Sequence, residues 1–91
     1  MALAQEIHAR LTKAFAPEVI EVINESHKHA GHAGDDGSGE SHWHVVIRAA
    51  AFDGQTRLGR HRAIHTALGP DVMGRLHALA LTVQGPGDAA D

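Results

Sequence analysis

The segment HWHVVIRAA, from His42 to Ala50, alternates between two side-chain phases. Successive side chains of a β-strand point to opposite faces of a sheet, so this alternation predicts a strand. One of the two phases holds only apolar side chains: Trp43, Val45, Ile47 and Ala49. A second β-branched segment, VIEVIN, precedes it from Val19 to Asn24. Residues 27–40 are rich in glycine and aspartate and predict a loop, so the two strands are expected to form an antiparallel hairpin.

A helix is predicted on each side of this hairpin. Between Ala2 and Phe15 the apolar side chains recur at helical spacing. Pro17 is expected to end that helix, because proline disfavours helical geometry at the residue before it. After a turn at Asp53-Gly54, a second helix is predicted from about Arg57 to Leu68.

The ends of this second helix carry recognisable signals. Thr56 can act as its N-cap, and Gly69-Pro70 is expected to stop it. The segment Asp71 to Arg75 is expected to add one further helical turn. The apolar, alternating segment LHALALTV, from Leu76 to Val83, then predicts a third strand.

The element order predicts an α+β fold of the form α-β-β-α-(short α)-β. A strand-helix-strand connection is right-handed in nearly all proteins, so the third strand should lie parallel to the second in a three-stranded mixed sheet. Both long helices must then cover one face of that sheet. We expect a single domain over residues 1–84 and a disordered acidic tail over residues 85–91.

Composition narrows the functions that this domain can have. Ninety-one residues allow one core, and the absence of cysteine excludes disulfides and thiolate ligands from this chain. The chain shows no apolar N-terminal run and no membrane-length segment, which favours the cytoplasm. A net charge of −3 argues against a general nucleic-acid coat. Motifs of nucleotide-binding and nucleophilic enzymes are absent, so we predict no enzyme.

Nine histidines are the main candidates for metal ligands. Three of them lie on the glycine-rich loop, which could wrap an ion or simply tolerate polar residues: His27, His29 and His32. His42 and His44 share a face of the second strand, a spacing that suits two ligands but also any half-exposed strand. His61 and His65 share a helix face without the glutamate of metalloprotease motifs, which favours a surface role.

His77 is the most informative histidine of the chain. It opens the third strand in phase with three apolar residues that are expected to pack inward: Leu79, Leu81 and Val83. An imidazole at the end of such a row is either a core residue with a hydrogen-bond partner or a pre-positioned ligand. The pattern alone leaves both roles open.

Four stretches of the chain resemble the BolA family: NESHKH (24–29), ESHWHVVI (40–47), FDGQTRLGRHR (52–62) and LHALAL (76–81). The region of resemblance extends from about residue 19 to residue 83, and RHR followed by HALAL at this separation is specific. The resemblance implies a fold like that of class II KH domains. It also implies a heterodimer with a monothiol glutaredoxin, in which the two proteins share a 2Fe-2S cluster for iron-sulfur trafficking or iron regulation.

The same resemblance implies which residues bind the cluster. In this family one ligand is the histidine of the motif that stands here as LHAL, which is His77. The other comes from the loop between the first two strands, where the matching residue is His29 and the alternatives are His32 and His27. Imidazole replaces thiolate at one iron of Rieske centres, so a cysteine-free chain can hold part of a cluster. The remaining sulfur must come from the partner's cysteine and its glutathione.

Other functions stay open at this point. Some BolA proteins act as DNA-binding transcriptional regulators, and the fold implies a basic or partner-binding surface near the second helix: Arg57, Arg60, His61 and Arg62. The GxxG loop by which KH domains clamp a nucleotide backbone is absent around the second helix, and the arginines can instead pair with acidic groups. A stand-alone zinc or histidine-buffering protein is a third candidate. The sequence also leaves open a weak homodimer.

Overall fold

The computed structural model describes residues 3–25 and 42–88. The elements follow the predicted order: helix α1 (Leu3–Phe15), strand β1 (Val19–Asn24), strand β2 (His42–Arg48), helix α2 (Arg57–Met73) and strand β3 (Ala78–Gln84). A short 3₁₀ turn over Ala50–Phe52 connects β2 to α2. The predicted loop over 27–40 lies outside the described residues. Within them, no helix combines the length and apolar character needed to cross a membrane.

Helix α1 buries the apolar stripe that its periodicity predicts. Three of its side chains are buried in the core: Leu3, Ile7 and Leu11. The helix ends as expected next to Pro17. Ala16 adopts a positive φ of 45°, and its N–H donates to the carbonyl of Thr12 at 2.9 Å. This left-handed residue turns the chain out of the helix and into β1.

The three strands form one mixed sheet in the order β1-β2-β3. β1 pairs antiparallel with β2, with Val22 opposite Val45, and β3 pairs parallel with β2, with Leu81 also opposite Val45. Both orientations confirm the sequence-based expectation. The core residues of β2 all belong to the apolar phase, and they pack with buried residues of α1 and α2. Both helices therefore cover the same face of the sheet.

Helix α2 begins and breaks where the sequence predicts. The Gly59 N–H donates to Thr56 Oγ1 at 3.0 Å, which confirms the N-cap. The backbone of Gly69 is not helical, with a φ of 79° and a ψ of 161°, so the long part of α2 ends at Leu68 as predicted. The expected further helical turn follows this kink and ends at Met73. Val72, in that turn, is fully buried, and its packing holds the turn against the core.

Two predicted boundaries near the C-terminus are corrected. β3 begins at Ala78, two residues later than predicted, so His77 precedes the strand. Disorder was expected from residue 85, but the Asp88 N–H donates to the Gly85 carbonyl at 3.0 Å, closing a turn. The Gly87 N–H also donates to Asp53 Oδ1 at 2.7 Å. Residues 85–88 are thus attached to the domain, and residues 89–91 lie outside the described part of the chain.

Candidate functional site

The starts of β2 and β3 bring two histidines together at one end of the sheet. The parallel register places His42 opposite Ala78, and His77 immediately precedes Ala78. The ring centroids of His42 and His77 are 5.3 Å apart, and the ring planes are tilted by 56°. Two imidazoles bound to one tetrahedral metal ion have centroids about 5 Å apart, given metal–nitrogen bonds of about 2.0–2.1 Å. The spacing of this pair is therefore suited to shared ligation.

His77 is exposed, which excludes one of its two predicted roles. A core histidine would be buried with a partner, whereas the ring of His77 faces solvent just before β3. The three apolar residues in phase with it pack against the core as expected: Leu79, Leu81 and Val83. The role of His77 as a ligand stays a prediction.

The predicted loop ligand His29 and its alternatives His27 and His32 lie outside the described residues. Across residues 3–25 and 42–88, no three or more His, Asp or Glu side chains are grouped so that they could hold a metal ion. The donor chemistry nevertheless fits a 2Fe-2S cluster, because two imidazoles on one iron are the ligands of Rieske centres. Since the chain has no cysteine, a cluster bound here needs thiolates from another molecule.

Sequence reasoning grouped His42 with His44 and did not connect it to His77. In the structure His44 has a different environment, because its Nε2 lies 2.8 Å from Thr82 Oγ1 on β3. The contact between His42 and His77 could have been inferred from the predicted parallel pairing of the second and third strands. SHWH and LHAL both stand where their strands begin, so parallel strands bring the two motifs to the same end of the sheet. On α2, His65 is exposed and His61 is half-buried.

The basic surface predicted on α2 contains two kinds of arginine. Arg57 and Arg62 are exposed, whereas only 12% of the Arg60 side chain is exposed. Arg60 forms a bidentate pair with Asp88, in which Nη1 lies 2.7 Å from Oδ2 and Nη2 lies 2.6 Å from Oδ1. We call this Arg60–Asp88 pair the tail clasp. Bidentate pairing of this kind is among the stronger and more geometrically specific hydrogen-bonded contacts in proteins.

Main-chain groups reinforce the tail clasp on both sides. Arg60 also donates to the carbonyls of Gln55 and Val83, at 3.1 and 3.2 Å. The Gly85 N–H donates to Asp88 Oδ2 at 3.0 Å. The bonds from Arg60, followed by the bond from Gly85, lower the pKa of Asp88 far below its ordinary value. Arg60 therefore has an anionic partner within the chain, which favours the second of the two roles considered for it.

A groove of about 330 Å³ lies beside the tail clasp, between the first turns of α2 and strand β3. Three basic or titratable side chains of α2 and three consecutive residues of β3 line it: Arg57, Arg60, His61, Leu81, Thr82 and Val83. Three of the four residues predicted for the basic surface therefore face one groove. Arg62 lies on the exposed surface of the same helix.

Comparison with known proteins places this architecture in one class. The family described as BolA-like protein matches residues 11–88 of the chain. A solved structure from Arabidopsis thaliana, the BolA domain of SufE1, matches with a TM-score of 0.82 at 30% identity, and the match covers 98% of each chain. The fold and the sequence thus define an α+β domain of the BolA type.

Three relatives match most of the chain, and two of them carry a BolA name. The chain is 51% identical over 89 residues to an uncharacterized Sinorhizobium protein from the cobS 5' region, across 97% of this chain and 96% of that protein. It is 41% identical over 80 residues to mouse BolA-like protein 1, across 88% of this chain but only 56%, about half, of that relative. It is 38% identical over 81 residues to the Escherichia coli (strain K12) DNA-binding transcriptional regulator BolA, across 89% of this chain and 73% of that one. The chain belongs to the BolA family.

Proposed function

We propose that this chain is an adaptor that shares a 2Fe-2S cluster with a monothiol glutaredoxin, in iron-sulfur cluster trafficking or iron regulation. The main support is the exposed His77 ring, 5.3 Å from the ring of His42, in a chain without cysteine. Imidazoles at this position can complete the ligands of a cluster only with thiolates from a second molecule. The resemblance to the BolA family implies glutaredoxin and its glutathione as the source of those thiolates.

His77 is suited to present its imidazole to a partner. Its neighbour Leu76 packs against the core and donates its N–H to the Met73 carbonyl at 3.2 Å, while β3 begins at Ala78 on the other side. The main chain is therefore held while the side chain faces solvent. His77 can bind at an interface without rearrangement of the core.

The cluster is the cargo of this complex, and we expect ligation by both imidazole and thiolate to favour its transfer.

His29 is the second ligand in this proposal, with His27 and His32 as alternatives. His42 becomes a fourth candidate because its ring contacts the His77 ring. Single alanine substitutions distinguish these four residues. Substitution of the ligand should alter the visible circular dichroism of the bound cluster, and substitution of the other three should not. Equal small changes at all four positions would indicate exchange among several ligands.

The experiment is anaerobic reconstitution of the chain with a monothiol glutaredoxin and glutathione, followed by visible circular dichroism. The chain alone is expected to bind no cluster, whereas the mixture should form a heterodimer with the bands of a histidine-ligated 2Fe-2S centre. His77→Ala should return the spectrum to that of the glutaredoxin alone. His65→Ala, which removes an exposed imidazole on α2, is the matched control and should change nothing. Heterodimer bands that persist in His77→Ala would contradict the proposal.

DNA binding is the second candidate function. Arg57 and Arg62 are exposed and form no ion pair within the described residues, so both are available to phosphates. The E. coli relative, named a DNA-binding transcriptional regulator, supports the same candidate.

The test of this candidate is the salt dependence of binding to duplex DNA. Arg57→Ala combined with Arg62→Ala should weaken binding and reduce the slope of log affinity against log salt by about 2, roughly one per lost phosphate contact. Arg75→Ala is the control, because Arg75 is paired with Glu6 at 2.5 Å. A flat titration at low salt, both of the unmodified chain and of Asp88→Asn, in which Arg60 loses its anionic partner, would remove DNA binding as a function.

A further inference from the structure

The tail clasp pairs a carboxylate of the chain with an arginine that lines the chain's own basic groove. Both carboxylate oxygens of Asp88 contact Arg60, which lines the groove together with Arg57 and His61. A phosphate, like a carboxylate, has two oxygens that can accept hydrogen bonds from one guanidinium. Arg60 can therefore bind either group in a bidentate geometry. Asp88 therefore occupies the guanidinium nitrogens of Arg60 that an anionic ligand of the groove would need.

The other arginine of the groove differs from Arg60. Arg57 is exposed and forms no ion pair in the part of the chain that the structure describes. The groove thus combines an arginine paired with Asp88, an arginine that no acidic group of the described residues neutralises, and the half-buried imidazole of His61. An anion that enters it is attracted by Arg57 and repelled by the carboxylate of Asp88.

Asp88 can leave this position through a local change. It lies in the turn over residues 85–88, where Pro86, Gly87 and Asp88 are exposed. β3 ends at Gln84, before this turn begins. Release of the turn breaks the tail clasp and a few main-chain contacts, but it breaks no pairing between strands. Openings of this limited kind cost less free energy than global unfolding.

We propose that Asp88 is an intramolecular competitor for this groove and that the ligand it excludes is the phosphate backbone of duplex DNA. This inference rests on the DNA-binding candidate above. Arg57 and Arg60 are three positions apart on one face of α2, separated by roughly 4.5 Å along the helix axis, and one DNA strand presents a phosphate about every 3.4 Å along its axis. Release of the tail clasp adds Arg60 to the exposed Arg57 and removes a competing negative charge.

The test uses fluorescence anisotropy with a short fluorescein-labelled DNA duplex at low salt. Asp88→Asn should bind at least about fivefold more tightly than the unmodified chain, the lower end of typical coupling between two sites. Its salt dependence should also be steeper by about one unit of log–log slope, because one phosphate contact is gained.

Asp71→Asn is the matched control for this variant. Asp71 forms the same bidentate pair with Arg10, at 2.9 and 2.8 Å, and neither residue lines the groove. The substitution changes the net charge equally but should leave DNA affinity unchanged.

Gly85→Ala provides a second way to release the tail clasp, because an added Cβ would lie 2.9 Å from Asp53 N and 3.0 Å from Asp53 Cα. It retains Asp88 and the net charge, and it should also bind DNA more tightly.

The outcomes separate this inference from DNA binding itself. Equal affinities of the unmodified chain and Asp88→Asn would leave DNA binding in place and remove the competitor role. Equal gains in Asp88→Asn and Asp71→Asn would show a general effect of charge and also overturn the inference. An Asp88→Asn chain that is unfolded by far-ultraviolet circular dichroism would show that the clasp cannot open locally. Absence of binding by every variant would remove the DNA-binding candidate together with the inference.

Discussion

Two bidentate arginine–aspartate pairs hold opposite ends of α2, and their surroundings differ. The tail clasp joins Arg60, near the start of α2, to the turn after β3. The other pair, which we call the helix clasp, joins Arg10 of α1 to Asp71 in the last turn of α2. The Asp71 side chain is 63% exposed and the Asp88 side chain is 34% exposed. Because the chemistry of the two pairs is the same, any difference in their effects comes from their positions.

The helix clasp connects two helices next to the kink in α2. Arg10 also donates to the carbonyl of Leu68, the residue before the kink at Gly69. Solvent-exposed ion pairs contribute little stability one at a time, so the main effect of this pair is to fix the kinked turn against α1. The tail clasp instead occupies an arginine of a groove that is lined by other basic or titratable groups. The location of an ion pair thus determines whether it can affect binding.

The largest expected effect is a loss of stability on substitution of Gly69, which lies beside the helix clasp. Its φ of 79° and ψ of 161° are accessible essentially to glycine alone. An added Cβ would also lie 3.0 Å from Asp71 Oδ1 and 3.1 Å from Arg10 Nη1. Gly69→Ala should therefore lower the free energy of unfolding by about 1–3 kcal/mol through backbone strain, and further through crowding of the clasp. Urea unfolding followed by the fluorescence of Trp43 measures this loss.

Gly54→Ala is the control that isolates the contribution of the clasp. Gly54 also has a positive φ, 73°, but an added Cβ would meet nothing within 4 Å. Its substitution therefore introduces backbone strain without crowding. A loss in Gly54→Ala as large as that in Gly69→Ala would show that crowding of the helix clasp adds nothing to the loss of stability.

A smaller effect distinguishes the two clasps in acid. The bonds from Arg10 lower the pKa of Asp71 from 3.8 to about 2, and those from Arg60 and Gly85 lower the pKa of Asp88 further. A carboxylate with a lowered pKa stabilises the fold above its unfolded pKa, and this contribution is lost as the pH falls through the folded pKa. The helix clasp should therefore be released first, between about pH 4 and pH 2. The tail clasp should persist to lower pH.

Carbon-13 NMR titration of the side-chain carboxyl groups measures both transitions. Arg10→Ala should return the pKa of Asp71 toward its ordinary value and leave that of Asp88 unchanged, because the two clasps share no residue. If the Asp88 carboxyl titrates at a higher pH than the Asp71 carboxyl, the tail clasp is the weaker of the two and the comparison is reversed.

Local patterns predicted most of the fold. The alternation of β2 determines which of its faces is buried, and Thr56 caps α2 through a contact only three residues away. The break in α2 is also a local signal, because Gly69-Pro70 interrupts the helix where the sequence predicts and a short turn follows it. The packing of that turn was not predicted. It depends on burial of Val72 against elements that are distant in sequence.

The candidate site was less accessible to sequence reasoning, because its contacts join distant parts of the chain. The tail clasp connects residues 28 positions apart, so the acidic tail predicted to be disordered is partly attached to α2. The contact of His42 with His77 follows from the parallel register of β2 and β3. The topology was predicted correctly, and this consequence of it could have been inferred.

The most direct test of the central claim, that His77 binds a shared cluster, is pulsed electron paramagnetic resonance. The chain is labelled with nitrogen-15 histidine, reconstituted with unlabelled monothiol glutaredoxin and glutathione, and reduced so that the cluster becomes paramagnetic. We predict nitrogen-15 couplings from imidazoles of this chain, one of which disappears in His77→Ala. A reduced cluster without nitrogen-15 coupling, or with couplings that are unchanged in His77→Ala, would contradict the claim.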